Sequence, residues 1–419
     1  MNLLVWSQYF WPEQFRINDV VQAISKKGIK PTILTGKPNY PGGEIFQGYR
    51  TLGVQREKYL GVDILRIPLL PRGNSSAKRL FLNYLSFILS GYCIAPFSLR
   101  RRKVDVILVY ATSPLLQALP SIFLAKLKRA PLVVWVQDLW PESLEATGFV
   151  KNRWLLWIVE RVVRYIYASA TSILIQSEGF RPFIDRLVKN KEKIFFCPNS
   201  SEDFKALDAL STKRHKIAED IETHFSILFT GNIGSAQSCE TIVAAAEKLQ
   251  AYPTIKFYLI GSGSQFTSIA LDIKRRHLTN VIMTGQLSSE EMPSLFAVSS
   301  ALLVSLRDNS TLSATIPSKL QSYLSAGKPI IASLNGETAR IVEEAKAGLA
   351  CPAEDADALA EAVLCLYKMT PQERSLLGEN GYQYFKAHFS SPKSINTLIS
   401  YLQKALPEND TGEKSACFP

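Results

Sequence analysis

Residues 225–250 read FSILFTGNIGSAQSCETIVAAAEKLQ. FSILFTG is a short, continuous apolar run, the pattern of a strand covered on both faces of a parallel sheet. Gly231 and Gly234 then let the backbone turn tightly and approach a ligand, and SCETIVAAAEKLQ has the length and period of a helix. A helix starting just after a glycine loop points its free N–H groups at that loop, which favours a bound anion. Strand, glycine loop and helix are the repeating half of a doubly wound α/β layer.

The alternation runs outward from this stretch. Strands are predicted at 3–9, 31–36, 62–68, 104–110, 132–138, 172–177 and 193–198, and again at 255–261, 281–285, 301–306 and 329–333. Helical stretches such as 17–28 and 289–300 separate them. The pattern restarts after a polar linker, PNSSEDFKALDALSTKRHK (198–216). This predicts two Rossmann-like domains, 1–200 and 217–385, each a doubly wound parallel sheet. A helix at 386–406 is expected to pack back toward the N-terminal domain, and the tail 407–419 to be disordered. Open α/β sheets bind ligands at the carboxyl ends of their strands, so the expected arrangement faces two such edges across an interdomain cleft.

A chain of 419 residues suits two domains. Its six cysteines stand far apart with no CxxC, and its four histidines are scattered. No zinc site or disulfide framework is expected, and a reducing compartment fits. The apolar start, MNLLVWSQYFWPEQF, has no basic leader and reads as a first strand. The net charge of +11 is uneven: residues 1–204 hold 28 Lys+Arg against 15 Asp+Glu, and the rest hold 20 against 22. A basic surface attracts nucleic acid, anionic lipid or phosphorylated substrates. No zinc finger, helix-turn-helix or aromatic RNA-binding motif accompanies it, so the expected partners are lipid and phosphate, not nucleic acid.

Two segments bear on lipid. LFLNYLSFILSGYCIAPFSL (80–99) is flanked by Lys78, Arg79 and Arg100 to Lys103. It is long enough to span a bilayer. Asn83, Ser86, Ser90, Gly91 and Pro96 interrupt it, however, and a predicted strand begins at 104. Spanning would put two halves of one sheet on opposite sides. A spanning helix is therefore disfavoured against an interfacial helix or an ordinary buried helix with basic flanks. NRWLLWIVERVVRYIYASA (152–170) leaves the same choice, with Trp154, Trp157 and its arginines suited to lipid headgroups. The two segments reinforce each other only if they share one face.

Other stretches bear on chemistry. In TIPSKLQSYLSAGKPIIAS (315–333), Pro317 suits the first turn of a helix, and Thr315 or Ser318 is a candidate cap. Lys319 then lies near a positive helix end, where a cation is unfavourable unless a bound diphosphate reverses the cost. The alternative is a solvated lysine. LIGSGSQF (259–266) has Phe266 where a dinucleotide fingerprint wants its third glycine, so it reads as a tight turn. Asp355-Ala356-Asp357 has the form of a metal–diphosphate site but precedes ALAEAVLCLY, which favours helix capping. Asp138 ends a strand within VQDLWPESLEATG (136–148), a good place for a functional acid. Capping of the helix at Pro141-Glu142 is its alternative.

Taken in order, WSQYFWPE (6–13), LTGKPNYPGG (34–43), VQDLWPESLEATG, CPNSSEDF (197–204), FTGNIGSAQ (229–237), LIGSGS (259–264), VIMTGQLSSEEM (281–292) and IPSKLQSYLSAGKPIIASLNGE (316–337) resemble the retaining glycosyltransferases of family 4, with the GT-B fold. The group nearest in pattern is the WbuB-like and colanic-acid fucosyltransferase-like enzymes of bacterial polysaccharide assembly. The resemblance implies a nucleotide-sugar donor on the C-terminal domain, near Gly231, Asn232, Gly234, Ser318 and Lys319, with Gln286 beside the base. It implies that Asp138 and the loop carrying Ser7, Tyr9, Trp11 and Glu13 face the reaction from the acceptor side. Asp138 and Lys319 are the catalytic candidates. No metal or other cofactor is expected. The implied reaction moves a sugar, for example a deoxy- or amino-deoxyhexose, from a UDP-linked or other donor to a lipid-diphosphate-linked saccharide, with retention. The implied location is the inner face of the bacterial cytoplasmic membrane, held peripherally by an anionic surface.

The resemblance has gaps. The family commonly places two glutamates eight positions apart before the Gly-Lys-Pro, and here those positions are Ala314 and Ser322. The usual Arg and Lys of the first glycine loop correspond to Asn232 and Gln237. Arg307, Asp308 and Glu337 are candidate substitutes. Two other readings fit the architecture: a nucleotide-sugar epimerase, and a catalytically degenerate scaffold in a polysaccharide assembly complex.

Overall fold

The continuous apolar runs form strands buried on both faces: Leu3, Leu4, Val5 and Trp6 are each at most 1% exposed. The computed structural model describes residues 1–73, 76–146, 152–208 and 215–407. Part of the expected linker (209–214) and residues 408–419 of the expected tail lie outside the described residues. The chain divides into two units.

The first unit comprises Met1–Ile175, Phe183–Cys197 and the chain from Ile395. Its strands are β1 (Asn2–Trp6), β2 (Lys30–Thr35), β3 (Gln55–Tyr59), β4 (Val62–Arg66), β5 (Val106–Ala111), β6 (Leu132–Val136), β7 (Ser172–Ile175) and β8 (Ile194–Phe196). They form one sheet in the order β3-β4-β2-β1-β5-β6-β7-β8. All pairs are parallel except β3 with β4, which is antiparallel. Helix α1 (Ile17–Lys26) buries Ile17, Val20, Val21 and Ile24 at helical spacing. Next come α2 (Ala77–Ser98), α3 (Ala118–Lys128) and α4 (Arg153–Ser169). Asn152 starts α4 by accepting from the Trp154 N–H at 2.9 Å.

The second unit comprises Gln176–Pro182 and Pro198–Ser394. Its strands are β9 (Phe225–Thr230), β10 (Ile255–Ile260), β11 (Val281–Gly285), β12 (Ala301–Ser305), β13 (Ile330–Ser333) and β14 (Gly348–Cys351), and its main helices include α5 (Cys239–Lys248), α6 (Ser318–Ala326), α7 (Glu337–Glu344) and α8 (Ala356–Lys368). The sheet is wholly parallel, in the order β11-β10-β9-β12-β13-β14. Winding reverses between β9 and β12 here, and between β1 and β5 in the first sheet. Ligands of doubly wound sheets bind at such switch points, at the strands' carboxyl ends.

Gln176–Pro182 packs with the second unit for a local reason. Ser177 Oγ donates to the Ala314 carbonyl at 2.5 Å, and a Cβ on Gly179 would lie only 2.6 Å from that same oxygen. At the other end, α9 (Ser391–Lys404) brings Ile395, Leu398 and Leu402 into the first unit's core. Tyr401 stacks on Phe195 with ring centres 4.9 Å apart.

Candidate active site

The loop after β9 is shaped by its neighbour after β10. Gly231 has φ +113°, and Gly261 has φ +151°. A Cβ on Gly261 would sit 1.8 Å from the Gly231 carbonyl oxygen, so only glycine fits. The Gly231 N–H donates to Ile260 O (2.8 Å) and the Ile233 N–H to Ser262 O (2.9 Å). These two amides hold the loop's shape and are engaged before any ligand arrives. The LIGSGS turn therefore braces the glycine loop.

Lys319 meets this loop from α6. A Cβ on Gly231 would lie 3.0 Å from Lys319 Cε. The ammonium lies 3.6 Å from the centre of the Phe229 ring. Nζ is buried without a hydrogen-bond partner among the described residues. Burial lowers its pKa to about 7. Tyr323, one turn further along α6, fixes the helix to the strand end: its phenol oxygen accepts from the Thr230 N–H at 2.9 Å and lies 3.0 Å from Thr230 Oγ1. The start of α6 corrects the expected capping. Pro317 occupies the N-cap position in an extended conformation, no side chain caps the helix, and Thr315 Oγ1 donates back to Thr311 O at 2.8 Å.

The remaining donor-side candidates are less free. Asn232 donates to Gln237 Oε1 at 3.3 Å, a neutral pair where the resemblance leads one to expect cations. Gln286 is exposed after β11 and accepts from Ser262 Oγ at 3.3 Å. Gly234 is buried, and Ser318 is exposed. Arg307 pairs with Glu240 at the start of α5. Glu337 is 8% exposed and pairs with Arg340 at 2.8 Å, so its carboxylate is already committed. The Asp308 N–H donates to Glu354 at 2.9 Å. Asp355 caps α8 by accepting from the Ala358 N–H at 2.9 Å, and Asp357 pairs with Lys248 at 2.7 Å. The DxD acids thus do local structural work.

In the first unit, Asp138 follows β6 at the sheet's carboxyl edge. Its carboxylate accepts from the Ser113 N–H at 2.8 Å, and Ser113 Oγ in turn accepts from Trp140 Nε1 at 3.1 Å. Burial pushes the Asp138 carboxyl up, against the hydrogen bonds from Ser113. Its carboxylate is held by Ser113, which the capping alternative did not foresee. The phenols of Tyr84 and Tyr110 both feel its charge.

The Ser7–Glu13 loop departs from its expected role. Ser7 is buried and donates to Tyr9 O at 2.7 Å. Trp11 stacks on Tyr59 at 4.8 Å. Glu13, 2% exposed, accepts from the Asn39 and Tyr40 N–H groups at 2.8 Å each. Ser7 and Glu13 therefore build the loop, and Trp11, half-buried, packs beside them. Tyr9 is different. Its ring stacks on Phe15 at 5.0 Å, and its phenol accepts from Arg72 at 3.2 Å. The Arg72 guanidinium also lies 4.9 Å from the Tyr40 ring, while its buried Nε has no hydrogen-bond partner among the described residues. Tyr84 feels the charges of both Arg72 and Asp138. Arg72, Tyr84 and Ser113 escaped the sequence reading because none sits in a recognisable motif.

Comparison with known proteins places this geometry. The sequence model for "Glycosyl transferase 4-like domain" matches residues 14–200, and that for "Glycosyl transferases group 1" matches 224–369. The chain belongs to the family 4-type glycosyltransferases. Among relatives of this glycosyltransferase is WcaI of Escherichia coli, named as a colanic acid biosynthesis glycosyl transferase, 24% identical over 78% of this chain and 82% of the relative. Another is WbjE of Pseudomonas aeruginosa, named as a glycosyltransferase, 25% identical over 75% and 80%. Among solved structures, sucrose-phosphate synthase from Thermosynechococcus elongatus aligns with TM-score 0.74 and 16% identity over 96% of this chain and 98% of that one. HepE of Anabaena, in complex with UDP and glucose, aligns with TM-score 0.67 and 13% identity over 96% and 100%. Both likenesses show the GT-B fold.

Within this glycosyltransferase, the two positions expected to hold glutamates have taken packing roles. The Ala314 carbonyl receives Ser177, and Ser322 Oγ donates to Ser318 O at 3.2 Å and lies 3.1 Å from Ser201 Oγ. Lys319 is left as the one candidate donor-side cation whose charged atom has no protein partner among the described residues.

Proposed function

We propose that this glycosyltransferase moves a sugar from a nucleoside-diphosphate donor, UDP-linked, to a saccharide carried on a lipid diphosphate during assembly of a bacterial surface polysaccharide. The observation that carries the reading is Lys319, whose buried ammonium lies against Phe229 and beside Gly231 without a hydrogen-bond partner among the described residues. An unpartnered buried polar group is costly, and a diphosphate would supply partner and countercharge together. The name of WcaI favours polysaccharide assembly. The UDP and glucose held by HepE favour a UDP-sugar on the same fold.

Transfer with retention breaks the bond between the anomeric carbon and a diphosphate oxygen, and the electron pair leaves with the diphosphate. The acceptor hydroxyl forms the new bond from the same face, and its proton passes to the departing phosphate oxygen. Protonated Lys319 and the amides at the start of α5 offset the charge growing on the leaving group, so the reaction needs no divalent ion. Asp138, anchored by Ser113, orients the acceptor.

The test is donor-dependent transfer across a panel of UDP-, GDP- and dTDP-sugars, with and without chelator. Lys319→Ala is expected to lower transfer about 100-fold or more. Full activity in that variant would remove Lys319 from the mechanism. The Asn232–Gln237 pair keeps the scaffold reading in view. Calorimetry showing that no nucleotide sugar binds would favour it, and product analysis without acceptor separates an epimerase.

A further inference from the structure

Three helices of the first unit expose large apolar side chains. Phe81 (62% exposed), Leu89 and Phe97 (74%) lie on α2, Phe123 and Leu127 on α3, and Trp154 (68%) and Trp157 on α4. The helices adjoin. Tyr92 of α2 meets Phe123 of α3 with ring centres 6.0 Å apart, and Lys126 of α3 lies 6.0 Å from the Tyr165 ring of α4. At helical spacing Phe81 and Leu89 lie within about 80° of Tyr92 on α2, and Trp154 and Trp157 within about 80° of Tyr165 on α4, so these four share one face with Phe123; Phe97 flanks it.

The opposite side of α2 is tied into the unit. Asn83 accepts from Gln8 Nε2 at 2.8 Å and donates to Leu70 O at 2.6 Å. A Cβ on Gly91 would lie 2.8 Å from Pro120 of α3. Crossing a bilayer would break this packing, whereas lying on one would not. Cations stand among these rings: Lys126 beside Tyr165, and the Arg161 guanidinium 5.0 Å from the centre of the Trp157 ring. At the end of α2, Ser98 and Leu99 line a cavity of 670 Å³ with Arg56, Lys58, Arg101, Arg102 and Lys103. Glu57 pairs with Arg66, Asp63 with Arg102 and Lys58, and Lys103 with Asp105, which leaves Arg56 and Arg101 as the cavity's cations outside these pairs.

We propose that α2, α3 and α4 form a docking face for an anionic phospholipid bilayer. Phe81, Leu89, Trp154 and Trp157 enter the headgroup layer, and the basic cavity at the end of α2 takes a lipid phosphate at its edge. Apolar insertion and basic attraction are the two signals that together hold a protein at an interface. The proposal rests on the reading that the acceptor is lipid-borne, and it places the protein peripherally on the membrane.

Flotation with vesicles of phosphatidylcholine alone, or mixed with phosphatidylglycerol, tests it. Binding is expected to the mixed vesicles and to weaken with salt. Phe81→Ser with Leu89→Ser and Trp154→Ser is expected to lower it about tenfold or more, and Arg56→Glu with Arg101→Glu about threefold or more. Leu271→Ser, an equally exposed apolar site in the second unit, is the control and should change nothing. Brominated lipid should quench Trp154 and Trp157. Transfer to a water-soluble acceptor without vesicles should persist in every variant, since the substituted side chains are exposed. Undiminished flotation of the variants, equal binding to neutral vesicles, or self-association through this face without lipid would overturn the proposal. Loss of all transfer with flotation intact would sink the functional reading and leave the docking face standing.

Discussion

Gly231 and Lys319 occupy adjoining space: a Cβ on Gly231 would lie 3.0 Å from Lys319 Cε. Gly231 also has φ +113°, a conformation other residues avoid. Gly231→Ala should therefore displace both the loop and the ammonium. We expect donor affinity to fall about tenfold or more and the melting temperature to drop, since strain of this kind costs about 1–3 kcal/mol. Donor titration by calorimetry checks it; wild-type affinity would mean that the loop does not shape the site.

Lys319 links donor binding to pH. Its pKa in the free protein is about 7, below the ordinary value of 10.5, because burial penalises the charged form. Between those values the unfolded chain holds one more proton than the folded one, so this residue makes stability rise with pH from about 7 to 10.5. Donor binding has the opposite slope. It favours the charged lysine, takes up a proton above pH 7, and should weaken as pH rises further. Calorimetry in two buffers of different ionisation enthalpy will read the proton. Lys319→Met should abolish the uptake.

Tyr323→Phe removes the phenol that receives the Thr230 N–H at 2.9 Å. Thr230 is left with a buried donor unsatisfied, which costs about 1–3 kcal/mol. Because this contact fixes α6 against β9, donor KM should rise as stability falls. Thermal unfolding and steady-state kinetics measured on the same preparation test the pairing; a stability loss with unchanged donor KM would limit Tyr323 to a packing role.

Asp138→Asn keeps an oxygen to accept from Ser113 but removes the charge. Transfer should fall about 100-fold with donor affinity unchanged. Equal losses in transfer and donor binding would contradict an acceptor-side role.

Arg72 predicts a split between acceptors. Its guanidinium stacks on Tyr40, donates to Tyr9 and leaves Nε unpartnered among the described residues. Arg72→Gln should raise KM for a diphosphate-linked acceptor about tenfold or more and leave KM for the same saccharide on an uncharged carrier unchanged. Parallel increases for both acceptors would assign Arg72 to loop packing.

The buried strands were legible because each is a continuous apolar run, as in FSILFTG. Two edge strands were not. QREKY of β3 is polar and antiparallel, suited to a solvated edge, and GLAC of β14 is short and opens with Gly348, whose Cα packs against the Ile330 carbonyl with no room for a side chain. On the site, Lys319 was legible from its place beside a helix start. Its Phe229 neighbour and the Tyr323 brace were not, because contacts between a strand end and a helix some 90 residues later leave no local pattern. The loop-building bonds of Ser7 and Glu13 were hidden for the complementary reason: polar residues in a strand-end loop look alike whether they bind a ligand or bind the loop itself. Whether the segments at 80–99 and 152–170 share a face was equally beyond local reading, since α3, packed between them, supplies the connection.

A crystal structure with the intact nucleotide sugar bound would test most directly whether Lys319 receives the donor's diphosphate. A phosphate oxygen should lie within hydrogen-bond reach of Lys319 Nζ, about 2.7–3.2 Å, beside the Gly231–Gly234 loop. A well-ordered donor whose diphosphate lies elsewhere, with Lys319 still unpartnered over Phe229, would contradict it.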